Sequence, residues 1–100
     1  MAKETDDIMR AHALQVTEAE AAVLMLSRKR ARLLSQAREL ADERVSVTFQ
    51  AQAFEPGARH RLREINQELA LLDAELRNTD AALSEAGQRL AIAQHTEKVA

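Results

Sequence analysis

Hydrophobic positions in the second half of the chain recur at alternating steps of three and four: Leu62, Ile65, Leu69, Leu72, Leu76, Thr79, Leu83, Ala86, Leu90 and Ala93. This is a heptad seam, with Leu repeated at one position and Ile65, Leu72, Thr79, Ala86 and Ala93 at the other, as in a left-handed coiled coil. Its small C-terminal members call for bulky partners opposite Ala86 and Ala93, because packed helices set large side chains against small ones. The first half repeats the period less purely. Ala19, Leu26, Leu33, Leu40, Val47 and Phe54 hold one position and Met9, Val16, Val23, Arg30, Ala37 and Arg44 the other.

Breakers are confined to Pro56, Gly57 and Gly87, so the strong reversal signal is Pro56-Gly57. The residue before a proline is pushed out of helical geometry, which ends the first helix near Phe54. The pattern therefore predicts an all-α chain forming an antiparallel two-helix coiled-coil hairpin. Helix 1 covers about residues 5–54, a turn residues 55–58, and helix 2 about residues 58–97, in one hairpin domain. Reversal at that point brings Leu40 to Leu72, Leu33 to Thr79 and Leu26 to Ala86. At 1.5 Å per residue the helices are roughly 75 and 60 Å long, and the N-terminal end overhangs.

Two starts are open for helix 1. Thr5 with Asp6 and Asp7 offers a cap whose acids suit the positive end of the helix dipole, and Thr17 with Glu20 has capping-box spacing. Use of the second would leave the first sixteen residues outside the helix. Residues 45–54 also carry a competing signal, since Val45, Val47, Phe49, Ala51 and Ala53 alternate with polar residues as in a strand. The helical reading is preferred because the chain has no second strand to pair with it.

Composition narrows the core. Hydrophobic residues make up 46% of the chain but aromatics only 2%, so Ala and Leu must do the packing. Two helices bury one stripe each, and a long hairpin of that kind is marginal alone. Further apolar stripes remain: Leu14, Ala21, Leu24 and Met25 on helix 1, and Ala70, Ala74, Ala81 and Ile92 on helix 2. These residues are the expected self-association surface, with dimerisation into a four-helix bundle as its simplest use. The expected partner is a second copy, with an additional protein partner left open.

The net charge of −2 gives no global attraction to nucleic acid or membrane, and no apolar stretch is long enough to cross a bilayer. With no Cys, disulfides and thiolate chemistry are excluded, and the expectation is a cytoplasmic protein without membrane attachment. One cationic run stands out: Arg28, Lys29, Arg30 and Arg32, extended by Arg38, with no acid between residues 21 and 38. Nucleic-acid binding through Arg28, Lys29, Arg32 and Arg38 is the alternative function, since clustered cations release counterions from phosphates. Against it, no aromatic residue is interleaved for base stacking. Arg30 lies on the seam, and the reversal puts Asp80 and Glu85 beside it. A second cluster, Arg59, His60, Arg61 and Arg63, opens helix 2, where pairing with Glu55 and Glu64 is favoured over docking of an acidic partner.

Sites for chemistry are not expected. His12, His60 and His95 lack metal-ligand spacing, although His12 and His95 can approach at the open end. Ser27, Ser35, Ser46 and Ser84 are isolated, and there is no glycine-rich loop. The reading is a non-enzymatic interaction or structural module with no catalytic residue, no metal and no cofactor. Finally, Arg61-Leu62-Arg63-Glu64-Ile65-Asn66-Gln67-Glu68, continuing through Leu69 to Leu90, resembles the distal helix of small bacterial coiled-coil proteins, some of them prophage-encoded. That resemblance implies a helical hairpin and no activity.

Overall fold

The computed structural model describes the backbone of residues 2–99 and the side chains of residues 3–96. Two helices account for nearly all of it: α1, Ala2–Gln52, and α2, Ala58–Val99. They pack antiparallel as a hairpin, and no strand occurs among the described residues. Neither cap proposed for α1 starts the helix. Ala2 precedes Thr5, and Thr17 lies mid-helix, where its hydroxyl donates to the Ala13 carbonyl at 3.0 Å. The chain divides into two compact units, Lys29–Thr79 and Met1–Arg28 with Asp80–Ala100.

The 29–79 unit contains the reversal and the better-filled core. Val47, Ala58 and Ile65 are buried together, with Leu40, Ala51, Leu62 and Leu69 packed around them. Ile65 is wholly removed from solvent. Leu33 and Thr79, expected to face each other, are both buried here. A threonine is tolerated in the seam because its hydroxyl donates to the Glu75 carbonyl at 2.8 Å, leaving the methyl group for packing.

All ten seam positions of α2 are buried or half-buried, but α1 departs from expectation at three places. Met9 and Arg44 are exposed, and Phe54 is 81% exposed. Phe54 leaves the seam because the helix stops at Gln52. The Phe54 amide then donates to Ala51 at 3.1 Å and the Glu55 amide to Gln50 at 3.0 Å. This pair of bonds is a Schellman cap, which requires a left-handed residue between the helix and its exit; Phe54 fills that place with φ 57°. Ala51, on the other half of the seam, becomes the last core residue of α1. Gly57 follows at φ 80°, and its carbonyl accepts from the Arg61 amide at 3.0 Å to begin α2.

The alternation in residues 45–54 does not make a strand. Helical geometry sends Val47 to the core and turns Val45 and Phe49 outward, and Thr48 donates to the Arg44 carbonyl at 2.7 Å within the helix.

In the other unit, Ala86 is buried, while Val16, Ala19, Val23, Leu26, Leu83, Leu90 and Ala93 are half-buried. An open groove of about 350 Å³ is lined in part by Ala19, Ala22, Ala86, Ile92 and Ala93.

Candidate interaction surfaces

Every residue assigned to self-association from the sequence lies at the surface. In the 1–28/80–100 unit, Leu14, Ala21, Leu24 and Met25 are exposed on α1, Met25 by 71%, and Ala81 and Ile92 are exposed on α2. Leu14, Ala21 and Met25 share the helix face away from the seam, being seven and four residues apart. Ala70 and Ala74 are exposed in the 29–79 unit.

The cations of the basic run are solvated. Arg28, Lys29, Arg32 and Arg38 are exposed and have no ion-pair partner among the described residues, whereas Arg30 is half-buried on the seam. Glu85, expected beside Arg30, forms an ion pair with Arg89 one turn along α2, at 2.7 Å.

The cluster opening α2 is organised differently from its expected pairing with Glu55. Arg61 forks across the hairpin onto Glu43, with Nε and Nη2 donating to the two carboxylate oxygens at 2.8 and 2.7 Å. Glu68 at 3.5 Å and Glu64 at 3.9 Å complete an acidic surround. The hydrogen bonds from Arg61 lower the Glu43 pKa and those to Glu43 raise that of Arg61; partial desolvation opposes both shifts. His60 makes the expected local contact with Glu64 at 3.3 Å. Arg59 and Arg63 are exposed, beside Phe54, at a shallow depression over the turn.

One surface was not anticipated. In the 29–79 unit an open groove of about 430 Å³ is floored by Leu40 and Leu72, edged by Leu71, and rimmed by Gln36, Glu39, Glu43 and Glu68. Leu71 is 67% exposed. Its signal in the sequence is the doubled leucine at 71 and 72, of which a heptad seam can bury only one.

Among the described residues no group of three or more His, Cys, Asp or Glu is placed to hold a metal ion. His95 is exposed; His12 is half-buried, with Nδ1 shielded from solvent and unbonded. No described helix is long and apolar enough to cross a membrane. In comparisons with known proteins, no protein family, no curated protein and no solved structure matches this chain.

Proposed function

We propose that this chain is a cytoplasmic, non-enzymatic interaction module that works as a self-associating helical hairpin, two copies forming a four-helix bundle. One imbalance carries the reading. Among the described residues eleven large hydrophobic side chains are exposed, while Leu33, Val47 and Ile65 are the large ones buried. Leu14, Ala21, Leu24, Met25, Ala70, Ala74, Ala81 and Ile92 supply apolar surface for this purpose.

Folding coupled to association makes stability depend on protein concentration. The thermal midpoint should therefore rise steadily between low micromolar and hundreds of micromolar protein. A midpoint that does not move with concentration contradicts the proposal.

A second reading rests on the unpaired cations Arg28, Lys29, Arg32 and Arg38. If they bind nucleic acid, purified protein will retain DNA or RNA at low salt and release it as salt rises, and charge reversal at Arg28, Lys29 and Arg32 will abolish retention with folding intact. Absence of retention at low salt removes this reading.

A further inference from the structure

Beside the seam, α1 carries a second row of side chains at alternating steps of three and four: Lys29, Arg32, Gln36, Glu39 and Glu43. Such a row stays on one helix face. Its order is cation, cation, amide, anion, anion, with Lys29 and Glu43 each seven residues from Gln36. Lys29, Arg32 and Glu39 are exposed and have no ion-pair partner among the described residues; Glu43 is held by Arg61. The anionic half and Gln36 form one wall of the groove floored by Leu40 and Leu72, and Leu71 is left largely in solvent at its edge.

A two-fold interface uses the same patch on both copies, so the patch must be its own complement. This row meets that condition in one direction. Run antiparallel to a second copy, it sets Lys29 opposite Glu43 of the partner subunit, Arg32 opposite Glu39 of the partner subunit, and Gln36 on the axis against the partner's Gln36. Run parallel and in register, it sets like charges against each other throughout. The apolar groove supplies what the charges do not: Leu71, Leu40 and Leu72 can take the aliphatic stems of the partner's Arg32 and its neighbours. Rim charges of this kind fix orientation more than affinity.

We infer that the face bearing Lys29, Arg32, Gln36, Glu39 and Glu43, with the adjoining Leu40/Leu71/Leu72 groove, docks a second copy of this chain antiparallel about Gln36. The inference rests on the self-association reading and adds, beside the apolar residues named there, a charged docking face and a direction. It also gives Lys29 and Arg32 a protein partner in place of a nucleic acid.

The test is sedimentation equilibrium on the full chain as wild type, R32E, E39R and R32E/E39R, with circular dichroism confirming unchanged helicity. Each single reversal places like charges together twice in the symmetric dimer and should weaken association by about tenfold or more. The double exchange restores opposite charges and should return it close to wild type. Single variants that associate like wild type, or a double variant as weak as the singles, overturn the docking face while leaving self-association in place. A wild type that sediments as a folded monomer overturns both. Loss of nucleic-acid retention in R32E with its mass unchanged also overturns the docking face and gives the row to the other reading. Because the chain contains no cysteine, direction can be read independently: oxidised Gln36→Cys should form a disulfide dimer, and Gln50→Cys should not. The reverse pattern contradicts the antiparallel arrangement.

Discussion

The guanidinium of Arg61 grips the carboxylate of Glu43 through two hydrogen bonds of 2.8 and 2.7 Å, tying the first turns of α2 to the last quarter of α1. It is a bidentate bridge beside the core formed by Val47, Ala58 and Ile65. Such forked pairs specify geometry as well as adding energy.

Arginine does not titrate in the working range, so the bridge responds to pH through Glu43. The hydrogen bonds from Arg61 lower the folded-state pKa of Glu43. A lowered carboxylate contributes stability that is present above its unfolded pKa and is lost as pH falls through the folded value. The thermal midpoint of wild type should exceed that of Glu43→Gln at neutral pH, and the gap should narrow as pH is lowered from neutral through the carboxylate range. Parallel curves for the two proteins across that range would show that the bridge contributes nothing.

Phe54 occupies the left-handed cap position with its ring almost wholly in solvent. A non-glycine residue there carries a penalty of roughly 1–2 kcal/mol, part of which glycine returns as chain entropy in the unfolded state. Phe54→Gly should therefore stabilise the hairpin by about 1 kcal/mol in urea unfolding. Phe54→Ala keeps the penalty and should change stability little. Destabilisation by the glycine variant would mean that the ring makes a stabilising contact absent from the isolated chain.

Residues 45–49 give a direct check on helix against strand. In a strand Val45, Val47 and Phe49 would share one face; in α1 Val47 is buried and the other two are exposed. Val47→Ala should cost about 2 kcal/mol, while Val45→Ala and Phe49→Ala should stay within about 0.5 kcal/mol. Equal losses at all three positions would contradict the helical assignment.

The same segment shows how far the sequence could be read. The α2 seam from Leu62 to Ala93 was legible residue by residue, because one uninterrupted period selects one face. The fold class and the reversal followed from it and from Pro56-Gly57. At the end of α1 the pattern misled: Phe54 fits the heptad arithmetic but serves as a cap, because the chain's exit geometry outweighs the ring's burial. Arg61 was expected to pair with nearby acids, and its bridge to Glu43, eighteen residues back, could not be seen before the helices were docked. The Leu40/Leu71/Leu72 groove was missed for a related reason. Periodicity marks what a helix buries against its partner and is silent on what two docked helices leave open between their outer edges.

The central claim is that this hairpin associates with itself, and sedimentation equilibrium of the wild-type chain tests it most directly. A folded protein of twice 11.1 kDa at micromolar concentration is the predicted result. A folded species of 11.1 kDa that persists to hundreds of micromolar would contradict it.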